Sequence, residues 1–162
     1  MKKDHLQPVT VSIGIITVSS TRTSENDTSG LTISELSKGA GFSVTHYAIV
    51  SDNIASIQTE LKRAKDCSNC IIINGGTGLT HDDCTIEAVA PLLEKTIDGF
   101  GELFRMLSYE EIGTSALLSR AIAGTWQKTV IFCIPGSTPA VTLATSKLIL
   151  PEILHILSHA TR

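Results

Sequence analysis

Residues 70–88, CIIINGGTGLTHDDCTIEA, run from a short apolar segment through a glycine-rich turn into the start of a helix. A β-branched run of this length, bounded by glycine, reads as a buried strand ending at Asn74. Gly75, Gly76 and Gly78 follow, then the adjacent carboxylates Asp82 and Asp83, then a helix expected over TIEAVAPLLEK, residues 85–95. Glycines admit positive φ and let successive amide N–H groups face a ligand, and a helix N-terminus beside them adds partial positive charge. Strand, glycine turn and helix together suit an anion. The same glycines also admit a purely local reading, a tight turn that needs positive φ. Neither common nucleotide fingerprint is met: His81 stands where a third glycine belongs, and no Gly-Lys-Ser/Thr follows.

The same alternation recurs on both sides of this stretch. VSIGIITVSS (11–20) and FSVTHYAIV (42–50) read as strands, each followed by a helix: LTISELSKG, capped by Asp27 or Thr28, and IASIQTELKRAK, capped by Ser51, Asp52 or Asn53. TVIFCIP (129–135) is a further strand, and GSTPAV begins a helix with Thr138 as cap and Pro139 at the first helical position. Residues 99–124 read as helical with a break at Gly113. Strands alternating with helices define βαβ units and a mostly parallel sheet covered on both faces. In such sheets ligands bind beyond the carboxyl ends of the strands. The segments Ser19–Ser29, Ser51–Asn53, Gly75–Asp83 and Gly136–Thr138 are therefore expected to gather at one edge.

Composition narrows the function. With 162 residues, 42% apolar and 18% charged, the chain reads as one domain over 1–162, with a flexible extension at 1–9. A net charge of -3 and a pI near 5.9 argue against a broad nucleic-acid footprint, while leaving room for a local phosphate site. MKKDHLQPVT lacks the apolar core of a secretory signal, and LILPEILHIL near the end is too short and interrupted to span a bilayer, so the cytoplasm is expected. Cys67 and Cys70 form a CxxC whose spacing suits zinc or a redox pair, but no second pair accompanies it, and reduced, partly buried thiols are expected. His46, His155 and His159 show no pairing that suggests ligands or a base, His81 is the one histidine of the glycine loop, and Trp126 is expected to pack.

Carboxylates beside a phosphate cradle repel the anion unless a divalent cation intervenes. Mg²⁺ held by one or two carboxylates plus substrate phosphates fits the arrangement, with Asp52, at the end of another strand, as second ligand or proton acceptor. One aspartate of the 82–83 pair is expected to serve as a helix cap.

In these motifs the chain resembles the molybdenum cofactor biosynthesis proteins of the MoaB/Mog type, which share a molybdopterin-binding fold with the gephyrin G domain. INGGTGLTHDDCTIEA, GFGELFRMLSYEEIGTSALLSRAIAG with Glu102, Phe104, Arg105, Ser119 and Arg120, IPGSTPAV and DTSG carry the likeness from about Ile13 to Pro151. The resemblance implies a three-layer α/β/α domain and adenylyl transfer, in which the phosphate of molybdopterin attacks the α-phosphate of Mg·ATP and pyrophosphate leaves. It implies Asp83 and Asp52 for Mg²⁺ and the nucleophile. Gly75, Gly76, Thr77 and Gly78 would cradle nucleotide phosphates, and Gly136, Ser137, Ser19 and Thr21 would contact the pterin or its phosphate. Two departures stand out. Asp82 replaces the arginine that precedes the family's catalytic aspartate, leaving Arg22, Arg105 or Arg120 to compensate, and Ser20 replaces an aspartate of the first loop. Glu102 and Arg105 either serve the site or form a structural ion pair. Relatives of this type are homotrimers or homohexamers, with LILPEILHIL either a contact face or a core helix. A binding-only carrier and a nucleotide module unrelated to pterins are the competing readings.

Overall fold

The structure is a computed structural model and describes residues 8–162. Residues 1–7 of the expected extension at 1–9 lie outside the described residues, whereas Val9 packs against the core. Six strands form one sheet: β1 (Ser12–Val18), β2 (Ser43–Val50), β3 (Cys70–Asn74), β4 (Lys95–Thr96), β5 (Ile122–Trp126) and β6 (Thr129–Ile134), in the order β2-β1-β3-β6-β5-β4. The first four of that order are parallel and the last two antiparallel. β1 leads by way of α1 (Thr28–Gly39) to β2 on one side, and β2 returns through α2 (Ile54–Lys65) to β3 on the other. The order thus reverses between β1 and β3, opening a crevice at their carboxyl ends.

Side-chain parity builds the layers. Along β3, Cys70 and Ile72 enter one core with Ile13, Ile15 and Phe132, under α1, α4 (Asp98–Ile112), α5 (Thr138–Ala144) and α6 (Leu150–Ala160). Ile71 and Ile73 enter the other with Ile16, Val18 and Ile131, under Ile57 and Leu61 of α2 and Ala88 and Val89 of α3 (Thr85–Val89). A strand buried on both faces has no polar alternation, which is why CIIIN carries none. The three-layer α/β/α expectation holds.

Several local expectations are corrected. The helix expected over 85–95 stops at Val89, because Pro91 has no N–H to continue the ladder; a 3-10 turn (Ala90–Leu92) follows, and Lys95 and Thr96 are the edge strand. The helix expected over 99–124 ends at Ile112, with Gly113 at φ 63 as its terminus; after a 3-10 segment (Gly113–Leu118), Ile122–Gly124 belong to β5. Ser137, not Thr138, caps α5 through the Ala140 amide, placing Pro139 one position further in. α5, a π turn (Thr145–Ile149) that accommodates Pro151, and α6 run on as one helix over Thr138–Ala160, 23 residues long and apolar enough to cross a membrane. LILPEILHIL is the second part of this longer helix, and Val141, Ala144, Ile149, Ile153 and Leu157 of it are wholly buried in the core. Exposed large apolar side chains gather instead on α4 and beyond: Leu103, Met106, Tyr109, Ile112, Leu117 and Leu118.

Candidate functional site

The cleft at the carboxyl edge is built from three strand ends. A cavity of about 490 Å³ is lined by Thr17, Val18 and Ser19 after β1, Asn74 through Gly78 after β3, and Pro135, Gly136 and Ser137 after β6, with Arg22, Asp83, Leu118 and Ser119 closing it. The two glycine turns touch. A Cβ on Gly136 would lie 3.0 Å from Gly75 Cα and 3.3 Å from Gly75 N, so a side chain there would push these backbones apart by a few tenths of an ångström. Gly75 (φ 91) and Gly76 (φ 66) occupy the left-handed region, where side chains are strained. Thr85 Oγ1 donates to the Gly75 carbonyl at 2.7 Å and fastens the turn to α3.

The turn amides are free to serve as a cradle. Gly75 N–H donates to Ile134 O, while the amides of Gly76, Thr77, Gly78, Gly136 and Ser137 have no protein acceptor among the described residues. Uncommitted N–H groups from two turns facing one cavity are what an anionic ligand requires.

Both expected carboxylates flank this cradle. Asp83 Oδ2 accepts from the Thr80 amide and hydroxyl at 2.9 and 2.7 Å, and it fills the place a Cβ on Gly78 would take. Asp52 Oδ2 accepts from Ser20 Oγ at 2.8 Å, and its Oδ1 lies 3.2 Å from a Cβ position on Gly76. Each keeps one carboxylate oxygen without a protein partner among the described residues. Ser20 thus steers Asp52. Their combined field shows at half-buried Cys84, whose thiol pKa is pushed up first by burial and then by Asp52, Glu87, Asp83 and Asp82. Two carboxylates are too few for an all-protein metal site, and no group of three potential ligands converges among the described residues. They do fit Mg²⁺ that takes its remaining ligands from phosphates and water.

The arginines are placed differently from expectation. Arg120 donates to the Thr77 carbonyl (Nε, 2.8 Å) and the Gly78 carbonyl (Nη2, 2.9 Å) and pairs with both oxygens of Glu87 at 2.7 and 3.3 Å, so it laces the glycine loop to α3. Arg105 donates to the carbonyls of Ser119 and Ala121 and makes no ion pair with Glu102 among the described residues. Arg22 alone of the three lines the cleft, paired with Asp27 at 3.5 Å.

Sequence reasoning missed the floor. Asn74, fully buried, donates from Nδ2 to Thr17 Oγ1 at 2.9 Å, Thr17 donates to Asp27 Oδ2, and the Tyr47 hydroxyl donates to the same oxygen. Because the Thr17 proton is already given to Asp27, the Asn74 amide is fixed with Nδ2 toward Thr17, and its Oδ1 is left without a partner. Burial, then Asp27's hydrogen bond and charge, raises the Tyr47 pKa. The polar end of a buried strand was a visible signal for Asn74; the relay behind it was not. Of the other expected contacts, Gly75, Gly76, Thr77, Gly78, Ser19, Gly136 and Ser137 line the cavity, whereas Thr21 is exposed behind Ser19, and Asp52 lies beside the lining. His81 and Asp82 are exposed on the loop away from it.

Fold and site together define a doubly wound α/β protein whose switch-point cleft joins two glycine turns, amide-lined and flanked by carboxylates. Residues 14–155 match the family described as probable molybdopterin binding domain, and the chain belongs to that family. It is 54% identical over 152 residues to molybdenum cofactor biosynthesis protein B of Bacillus cereus, covering 92% of this chain and 90% of that one. With the protein of the same name from Staphylococcus aureus it shares 48% over 157 residues, 94% of each. A crystal structure of molybdenum cofactor biosynthesis protein B superposes with a TM-score of 0.92 at 52% identity, over 96% of this chain and 99% of that one. The tungsten cofactor synthesizing protein MoaB of Pyrococcus furiosus superposes at 0.87 with 37% identity, over 96% and 100%.

Proposed function

We propose that this protein acts in molybdenum cofactor biosynthesis, in the cytoplasm, as a molybdopterin adenylyltransferase that joins the phosphate of molybdopterin to the α-phosphate of ATP and releases pyrophosphate. The contact between Gly75 and Gly136 carries the reading, since it brings two turns with uncommitted amides into one cleft of about 490 Å³. The names of the relatives and the family description support the pathway and the pterin.

In this reading the Gly76–Gly78 amides hold the nucleotide phosphates, and Ser19, Gly136 and Ser137 hold the pterin side. Asn74 Oδ1 takes an N–H from the pterin, which is rich in donors. Bound Mg²⁺ would be held by Asp83 and Asp52 and would neutralise charge on the transferring phosphoryl group. Asp52, steered by Ser20, and Asp83, steered by Thr80, present their free carboxylate oxygens for that ion, while the fixed amides hold the attacking phosphate in line and stabilise the charge that develops. A homotrimer or homohexamer belongs to the same proposal; with Ile153 and Leu157 committed to the core, α4 rather than the C-terminal helix offers the contact face.

The test is to incubate protein with molybdopterin, ATP and Mg²⁺ and to follow pyrophosphate and the adenylylated pterin. Stoichiometric formation of both is expected. A specific observation favours a second reading, a non-catalytic molybdopterin carrier: Arg120 and Arg105 are committed to carbonyls, so that of the three arginines only Arg22 lines the cleft. Tight pterin binding without product would establish the carrier and end the transferase claim.

A further inference from the structure

Away from the cleft, on the outer edge of the sheet, the fold assembles a cysteine, a histidine and a glutamate from three separate elements. Cys67 is exposed in the turn between α2 and β3, His46 lies on β2, and Glu60 is buried on α2. His46 Nε2 is 2.7 Å from Glu60 Oε1, and His46 Nδ1 is 4.0 Å from Cys67 Sγ. A carboxylate only accepts, so the short contact puts the imidazole proton on Nε2 and turns the Nδ1 lone pair toward the sulfur. Glu60 is itself held by Arg63 at 3.3 Å. The order is that of nucleophile, base and orienting acid.

We infer that Cys67, with His46 as its base and Glu60 as the positioning residue, is a thiol–disulfide exchange site for low-molecular-weight disulfides. Cys67 Sγ attacks one sulfur of the disulfide, the new S–S bond forms as the old one breaks, and the Sγ proton passes through His46 Nδ1 to the departing thiolate. Cys67 is oxidised to a mixed disulfide, one equivalent of the reagent is reduced to thiol, and added thiol reverses the step. The carbonyls of Thr45 and Ala64 stand 3.5 and 3.6 Å from Sγ, and the turn follows the negative end of α2. Neither carbonyl can take the Sγ proton, which leaves His46 Nδ1 as its acceptor.

The other three cysteines lack this combination. Cys70 and Cys133 are wholly buried, and burial alone raises both thiol pKa values. Cys84 sits in the carboxylate field described above. Among the charged and titratable groups around His46, Glu60 and Arg63 come from α2 and Cys67 from the turn, while β1 offers only Gly14 opposite it.

The test treats the full chain with oxidised glutathione in the presence of a chelator and follows adducts by intact and peptide mass spectrometry, from about pH 5.5 to 9. Cys67 should be modified at least about tenfold faster at neutral pH than the cysteine of an unstructured peptide of the same local sequence, with a pH profile that differs from the peptide's. Cys67→Ser should remove the fast adduct, His46→Gln should lower the rate and erase that difference, and Glu60→Gln should lower the rate while keeping it. A Cys67 rate no faster than the peptide's, a fast adduct that survives Cys67→Ser, or an unchanged pH profile in a folded His46→Gln protein would each overturn the inference. The peptide comparison needs no variant and decides the matter even if His46→Gln fails to fold.

Discussion

Arg120→Ala should loosen the glycine loop while leaving the sheet intact. The guanidinium donates to the carbonyls of Thr77 and Gly78 at 2.8 and 2.9 Å and to Glu87 at 2.7 and 3.3 Å, so its loss orphans two loop carbonyls and one carboxylate. Hydrogen bonds to a charged group contribute up to about 3 kcal/mol where desolvated. Here the side chains of Arg120 and Glu87 are 30% and 47% exposed, and water replaces part of what is lost. Discounting for this leaves about 1 kcal/mol for each carbonyl and less than about 1 kcal/mol for Glu87, hence a total between about 2 and 3 kcal/mol. With a urea slope of about 2 kcal/mol/M, the unfolding midpoint should fall by roughly 1–1.5 M.

Glu87→Gln isolates the smaller part, because Arg120 keeps both carbonyls; it should cost under about 1 kcal/mol. The two also differ with pH. The hydrogen bond from Arg120 holds the Glu87 carboxyl below its usual 4.5. A depressed folded value means stability fully present above the unfolded value and lost as pH falls through the folded one, so the gap between the parent and Glu87→Gln should close in acid. Urea titrations followed by circular dichroism at neutral and acid pH read both. An unchanged midpoint in Arg120→Ala, or a Glu87→Gln cost equal to it, would refute the account of the loop.

Asp83→Ala should reduce adenylyl transfer at least about a hundredfold while the fold and most pterin binding survive; unimpaired turnover would remove Asp83 from the metal assignment. Gly136→Ala places a methyl 3.0 Å from Gly75 Cα, and neither neighbour is a side chain that can turn aside. The turns must part by a few tenths of an ångström, and molybdopterin affinity measured by fluorescence titration should fall about tenfold, or about 1.4 kcal/mol; equal affinity would show that the two turns do not act as one site. Tyr47→Phe takes one donor from the buried Asp27 carboxylate and should cost about 1–3 kcal/mol in thermal or urea unfolding, with a loss under about 0.5 kcal/mol indicating that Thr17, Gly30 and Arg22 suffice.

The antiparallel half of the sheet was hidden for identifiable reasons. β4 is only two residues long, and β5, IAGTW, carries Ala123 and Gly124 where strand-forming side chains are expected. Gly124 is small because a Cβ there would meet Lys95 O at 2.5 Å, a contact no local pattern reports. The β5–β6 hairpin turns through Gln127 and Lys128 at φ 47 and 67, without the Asn-Gly or Asp-Gly signature that marks such turns. In the parallel half, apolar runs and glycine stops were enough. Asp27 and Asn53 cap their helices as two of the residues named for that role.

By itself the sequence determined the layers, the parallel strands and the two glycine turns, because burial on both faces and positive φ each restrict residue type at the position concerned. Pairings across the chain were decided only by the tertiary structure: Arg120 on the loop carbonyls, Asn74 on Thr17 and Asp27, and His46 between Glu60 and Cys67. A hydrogen bond restricts where two side chains meet, not how far apart they stand along the chain. A histidine that showed no partner in the sequence therefore acquired two when the sheet and its covering helix closed around it.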